Sequence, residues 1–319
     1  MKRASTFLIT VALIAGMVGC GGGLGEYGLT IASTAGGSVT TPGEGTFTYD
    51  EGEVVSMVAE AEEGYRFINW TGDVDDIDDV EDATTTITMN DDYSITADFA
   101  IKQYDLTISS TEGGSVTTPG EGTFTYDGGT VVDLVAEPDE GYQFMKWTGS
   151  IGATADVYAA ETTITINNDF SITANFAIEI CDWYDLDAIR DNLGGSYLLM
   201  NNLDSTTAGY EELASRTANG GKGWEPIGTL SVDPVYTETV DPVDPFTGSL
   251  GGQGYEVRDL VIDRPVEDGV GLLSCLGEGV IENLGVVNAE VIGHVYVGGL
   301  VGENEGATVS NSYSNGSVT

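Results

Sequence analysis

An internal duplication constrains this chain more than any other feature. Tyr27 to Ala100 aligns with Tyr104 to Ala177 at a constant offset of 77 residues, without a gap and with about two-thirds of the positions identical. At its centre GGSVTTPGEGTFTYD stands unchanged at 36–50 and 113–127, and only Ile101, Lys102 and Gln103 separate the copies. Two copies of one unit must fold alike, so the domain plan of the first half is set before any single residue is interpreted.

Within each copy the apolar period is two. Tyr93, Ile95, Ala97 and Phe99 alternate with polar residues, and Phe170, Ile172, Ala174 and Phe176 take the same places in the second copy. Val55, Met57 and Ala59 form another such face, matched by Val132, Leu134 and Ala136. This spacing predicts half-buried strands with one wet side. Asn90-Asp91-Asp92 and Asn167-Asn168-Asp169 carry turn chemistry and are expected to close a hairpin. Gly36-Gly37 and Pro42-Gly43 punctuate the earlier strands, giving a small β unit of about six strands.

The strings Leu29-Thr30-Ile31, Gly37-Ser38-Val39, Gly64-Tyr65-Arg66-Phe67, Trp70-Thr71-Gly72 and Ile95-Thr96-Ala97-Asp98-Phe99 resemble the divergent internalin-type B-repeat of bacterial surface proteins. The second copy carries the pattern in Gly141-Tyr142-Gln143-Phe144, Trp147-Thr148-Gly149 and Ile172-Thr173-Ala174-Asn175-Phe176. The resemblance implies a compact β-grasp-like or all-β extracellular module, used as spacer or contact surface and without catalysis.

After Ala177 the texture changes. Asp185 to Leu193 reads as one short helix, with Leu186, Ile189 and Leu193 on one face, Asp185 at its start and Gly194 at its end. A Gly-rich β region comes next. Val270-Gly271-Leu272-Leu273 with Gly279 and Asn283 returns as Val297-Gly298-Gly299-Leu300 with Gly306 and Asn311, about 27 residues on. A strand-turn cycle of that length cannot bury its face alone, so a parallel β-helix-like solenoid is expected. Gly298-Gly299-Leu300-Val301-Gly302-Glu303-Asn304, Asn311-Ser312-Tyr313 and Gly316-Ser317-Val318 resemble the GLUG motif of bacterial surface proteins, with Trp224 to Gly228 and Phe246 to Leu250 as lead-in. The resemblance implies that Gly299, Leu300, Val301 and Gly302, like Trp70 and Trp147 in the B-repeats, are structural motif residues. Leu230 to Pro245 is an Asp/Pro-rich insertion, expected to be exposed. The chain stops at Thr319 without a polar capping element, and further coils are expected beyond it in the natural protein.

The N-terminus reads as an address. Lys2 and Arg3 precede an apolar run from Phe7 to Val18 that is too short to cross a bilayer needing roughly 20 residues. Met17-Val18-Gly19-Cys20 resembles the lipobox of bacterial lipoproteins, which implies lipidation at Cys20, with ordinary secretion as the alternative. The expected plan is signal peptide 1–20, Gly-rich linker 21–26, modules 27–100 and 104–177, and solenoid 179–319. Such a protein would be exported, lipid-anchored to the envelope and facing outward.

Charge narrows the partners. Fifty-two Asp and Glu against ten Lys and Arg give a formal net charge of -42, which repels phosphate and excludes nucleic acid as a partner. The membrane, through the lipid, and a glycan or extracellular protein remain. Cys181 and Cys275 are either a disulfide or inert thiols.

Candidate chemistry is sparse. His294 is the only histidine, so a triad or a closed zinc site lacks its parts. Arg258 and Arg264 accompany no tight carboxylate cluster of the kind a polysaccharide lyase needs. Asp73, Asp75, Asp76, Asp78 and Asp79 crowd one loop and are the candidates for calcium, the one cofactor considered. They fail the EF-hand pattern, because Ile77 sits at its fifth position, and the equivalent loop Ser150 to Asp156 is nearly neutral. A solvated acidic loop is the other reading. Trp70 and Trp147 either stack on sugars or fill a core that a small module needs. The sequence thus points to a non-catalytic surface lipoprotein, a stalk bearing an adhesive coil region. The competing expectation is the front part of a larger surface enzyme, peptidase or polysaccharide-processing, with its catalytic domain beyond Thr319.

Overall fold

The computed structural model describes residues 25–232 and 240–319. The expected signal segment with Cys20, most of the expected linker and the tip of the Asp/Pro-rich insertion lie outside these residues. The chain divides into two compact units, residues 1–102 and 103–319.

The first unit holds one copy of the repeat. Its strands are β1 (Glu26–Ser33), β2 (Gly37–Thr41), β3 (Gly45–Asp50), β4 (Val54–Ala61), β5 (Tyr65–Gly72), β6 (Thr84–Thr88) and β7 (Tyr93–Ile101). They form a four-stranded sheet in the order β3-β1-β7-β5 and a three-stranded sheet in the order β2-β4-β6. β1 and β7 run parallel, and every other pairing is antiparallel. The inward residues of both sheets meet in one core that includes Leu29, Ile31, Met57, Trp70, Ile87, Met89 and Ile95. The period of two therefore corresponds to faces, as alternation requires.

Three details differ from expectation. The unit has seven strands, not six. No helix lies within it among the described residues, so the all-β alternative applies. The turn at Asn90-Asp91-Asp92 closes no hairpin, because β6 pairs with β4 while β7 pairs with β1 and β5. It carries the chain from one sheet to the other. The invariant Gly36 has a spatial reason: its φ is +102°, and a Cβ there would lie 2.0 Å from the ring of Tyr65. Gly113 stands in the same relation to Tyr142.

The second unit begins with the second copy: β8 (Gln103–Ser110), β9 (Gly114–Thr118), β10 (Gly122–Asp127), β11 (Val131–Pro138), β12 (Tyr142–Gly149), β13 (Glu161–Thr165) and β14 (Phe170–Ile180). The pairings repeat those of the first copy, but β14 runs two residues further than its counterpart. Its first half pairs with β8, through Phe170 to Ala174. Its last three residues pair in parallel with β15 (Ser196–Leu199), through Ile178↔Tyr197 and Ile180↔Leu199. One strand thus belongs both to the module and to the first coil of the C-terminal region.

Between β14 and β15 lies α1 (Trp183–Asp187), continued by a 3-10 turn at Ala188–Asp191. The cap of this helix lies three residues before the expected one. Asp182 caps it, accepting from the backbone N–H of Tyr184 and Asp185 at 2.9 and 3.0 Å, while the Asp185 carboxylate accepts from the Asp182 N–H. Asp185 is the return arm of a capping box and not the cap.

Beyond it come β16 (Thr229–Val232), β17 (Val240–Asp244), β18 (Ser249–Gly251), β19 (Glu256–Arg258), β20 (Val261–Asp263), β21 (Leu273–Leu276), β22 (Val280–Glu282), β23 (Gly285–Ile292), β24 (Val301–Asn304), β25 (Thr308–Ser310) and β26 (Tyr313–Val318). Apart from the β16-β17 hairpin these strands pair in parallel with the coil before or after them. Leu273 faces Val301, Val280 faces Thr308 and Gly285 faces Tyr313, each 28 residues further on. Asn283 and Asn311 both take positive φ, at 54° and 47°, where each coil turns. A continuous core runs through the stack, from Ile180 and Trp183 past Trp224 and Phe246 to Leu300.

Candidate functional site

The acidic loop joins β5 to β6. Three of the five candidate aspartates accept hydrogen bonds, mostly from β7 and the turn before it. Asp73 accepts from the Ser94 N–H at 2.9 Å, Asp79 from the Glu81 N–H at 2.9 Å, and Asp76 from Asn90 Nδ2 at 3.2 Å and from the Tyr93 hydroxyl. Burial, and then Asp76, push the Tyr93 phenol up to about 12. Among the described residues no three His, Cys, Asp or Glu side chains gather in a metal-holding group. The five aspartates that sequence reasoning singled out are therefore neighbours in one loop without converging on a point.

Trp70 and Trp147 are buried, at 1% and 0% exposure, and present no face to a ligand. Each indole N–H donates to a backbone carbonyl of the adjoining loop, Asp82 in one copy and Ala159 in the other, both at 3.0 Å. Phe67 and Phe144 pack against them with ring centroids 5.5 and 5.6 Å away. The GLUG residues also sit inside. Leu300 joins the coil core with Val301 against it, and a Cβ on Gly302 would lie 2.6 Å from the Ser274 carbonyl of the preceding coil. Glycine there lets two coils approach each other.

The coil region holds the other titratable groups. His294 is exposed, and its Nδ1 lies 2.8 Å from Asp268. Arg258 pairs with Glu256 at 2.5 Å. Arg264 is buried, donating through Nε to the Trp224 carbonyl at 3.1 Å and through Nη1 to Glu267 at 2.8 Å. Lys222 donates to the other oxygen of Glu267 at 2.7 Å. Burial raises the Glu267 carboxyl, but the two cationic donors outweigh it and leave the group below the usual carboxylate range. Sequence reasoning named both arginines and missed Glu267, since a carboxylate three residues from Arg264 looks like any surface charge. The cluster borders a polar cavity of about 310 Å³ that Glu225, Thr229 and Ser274 also line.

Neither cysteine is in a disulfide. Cys181 is exposed and Cys275 buried. Burial, and after it the carboxylates of Glu305 and Glu303, pushes the Cys275 thiol up to about 11. Burial and the carboxylates of Glu179, Asp185 and Asp182 raise that of Cys181. Both thiols are held away from the reactive thiolate form.

Comparison with known proteins agrees with this geometry. The model of the divergent InlB B-repeat domain matches residues 27–103 and 104–180, and that of the GLUG motif matches 293–319. Both describe repeat or motif units, kinds of domain without catalysis. The first B-repeat match ends at the joint between the two units, and the second ends with β14 at Ile180. Halomucin of Haloquadratum walsbyi is 32% identical over 150 residues, which is 46% of this chain and 2% of halomucin. A protein of Evansella cellulosilytica named "Putative Gly-rich membrane protein" is 30% identical over 125 residues, 38% of this chain and 12% of that protein. The chain thus spans only a small part of the length of these relatives. No solved structure matches it. By sequence pattern, strand order and family match together, the chain carries two tandem divergent InlB B-repeat domains and, after them, a GLUG motif.

Proposed function

We propose that this chain is an exported, non-catalytic protein of the cell envelope, lipid-anchored at Cys20. In this reading the B-repeats serve as a stalk and the GLUG-bearing coils as a contact region for an extracellular glycan or protein. The observation that carries it is the matched architecture of two repeat domains and a GLUG motif behind a segment with the features of an export signal. The acidic surface supports it, since a strongly negative stalk stays soluble and repels its neighbours. A membrane setting is also in keeping with the name of the Evansella relative. Among the described residues no helix is long and apolar enough to cross a membrane, so the anchor in this reading is the lipid.

The test is partition and exposure in the producing cell. The full-length protein is expected in the detergent phase and open to protease added outside intact cells. Cys20→Ser is expected to move it to the aqueous phase. Unchanged membrane partition of that variant overturns the lipid anchor, and protection from external protease overturns surface display. The chain spans only a small part of its relatives' length, which leaves room for a second reading, the front part of a larger surface enzyme. The gene downstream of Thr319 decides it: a His-Glu-x-x-His or comparable catalytic motif there would replace the stalk reading with the enzyme one.

A further inference from the structure

Where β14 passes from the second B-repeat into the first coil, a cavity of about 300 Å³ opens between the two. The module supplies one wall: Tyr142 at the start of β12, Asn175 and Phe176 from β14, and Glu112 from the turn before β9. The coil supplies the other, Asn192 to Ser196, held in place because the Tyr197 hydroxyl donates to the Asn192 carbonyl at 2.7 Å.

The lining combines a half-buried aromatic ring with unused polar groups. Asn175 spends its amide N–H groups on the Lys146 carbonyl, the Thr148 hydroxyl and the Thr173 carbonyl, at 3.1, 2.8 and 3.0 Å. Its carbonyl oxygen takes no hydrogen bond among the described residues. The side chains of Asn192 and Ser196 and the carboxylate of Glu112 make none either. No Lys, Arg or His lines the cavity, and its single ionisable carboxyl belongs to Glu112.

These features select a ligand class. An anionic ligand meets no cation here and must approach a protein of net charge -42. A purely apolar ligand would leave the amides and hydroxyl unpaired. A neutral pyranose satisfies both conditions. Its C–H face is drawn to the electron-rich face of an aromatic ring, and its hydroxyls both donate and accept, matching Asn, Ser and Glu. The size lies at the lower end for ligand cavities, suited to a ring and not to a long chain buried whole. We propose that this cavity binds a sugar unit of a neutral glycan. The two repeats are not equivalent in this respect, since the first carries Ala35 and Asp98 where the second has Glu112 and Asn175. Asp98 there accepts from the Thr71 hydroxyl at 3.1 Å.

The sugar site lies where the proposed stalk meets the coils and rests on that reading for its setting. Its test is made on purified full-length protein and is independent of where the cell places it. Maltohexaose, cellohexaose and chitohexaose are titrated by calorimetry, with hexagalacturonate as the acidic probe. At least one neutral oligomer is expected to bind, hexagalacturonate markedly more weakly. Asn192→Ala and Ser196→Ala are each expected to weaken binding about five- to tenfold, the worth of one hydrogen bond. Circular dichroism is expected to stay unchanged, since Asn192 is exposed and neither side chain is hydrogen-bonded within the protein among the described residues. No binding of any neutral oligomer at about 10 mM, a preference for the uronate, or binding that both variants leave intact each overturns the proposal; affinities near that ceiling are already weak for a specific site. If the wild type and Asn192→Ala bind a neutral oligomer equally while Ser196→Ala unfolds, the cavity is likewise refuted as the site.

Discussion

The indole N–H of Trp70 donates to the backbone carbonyl of Asp82, 3.0 Å away, and so holds the end of the acidic loop through its main chain. The side chain at position 82 is irrelevant to that bond, as Ala159 demonstrates at the same place in the second repeat. Replacing 73–82 by the sequence of 150–159 should therefore leave the first module folded. Trp70→Ala should cost about 3–5 kcal/mol, the usual range for emptying a large aromatic site. Denaturant unfolding monitored through the first module checks both. A loop exchange as damaging as the tryptophan substitution would contradict the main-chain account.

The two repeats also make a natural experiment in charge. Residues 27–100 carry seventeen Asp and Glu against Arg66, and residues 104–177 carry eleven against Lys146, on the same strand plan. Raising salt from about 0.05 to about 1 M shortens the screening length to about 3 Å and relieves self-repulsion. Protection against hydrogen exchange should rise more in β4 and β7 than in β11 and β14. Equal gains would mean that the extra acids lie too far apart to repel.

Ile180 is fully buried and belongs to the coil core, although it ends the last strand of the second repeat. Ile180→Ala should cost about 2–5 kcal/mol. Hydrogen exchange should rise together in β12 and β15, one on each side of the shared strand, while β1 to β7 are untouched. Loss of protection confined to β15 would show that the joint is not cooperative.

Glu267 holds its carboxyl below the ordinary range because Lys222 and Arg264 donate to it. A carboxylate lowered in the folded state stabilises fully above its unfolded pKa, about 4.3, and the contribution fades as pH falls through the folded value. The difference in thermal midpoint between wild type and Glu267→Gln should accordingly be constant from neutral pH down to about 5 and shrink below that. A difference that grows on acidification would reverse the assignment. Lys222 and Glu267 are partly exposed while Arg264 is buried, so solvent screens one of the two pairs and the effect stays modest.

Much of this architecture was written in local pattern. Val55, Met57 and Ala59 announce β4 because alternation is a property of the strand itself. The return of Asn283 as Asn311 announces the stacked coils, since both must turn left-handed at the same point of the cycle. Errors arose where the deciding contact is distant. Asn90 to Asp92 has the same turn chemistry whether the chain doubles back or crosses between sheets, and only the partners of β7 tell which. Asp182 and Asp185 are both acidic, three apart, and either can be read as the cap until the hydrogen bonds are seen. The cavity had no signal at all. Asn175 and Asn192 face one space because β14 and β15 pair in parallel, a relation that no run of residues encodes.

That shared strand bears on how such chains change over generations. The second repeat cannot be lost or exchanged without exposing the edge of β15, whereas the first ends its last strand within its own sheets. The repeat next to the coils is therefore the one that sequence drift should leave most nearly alone, because an edge of the coil region depends on its last strand.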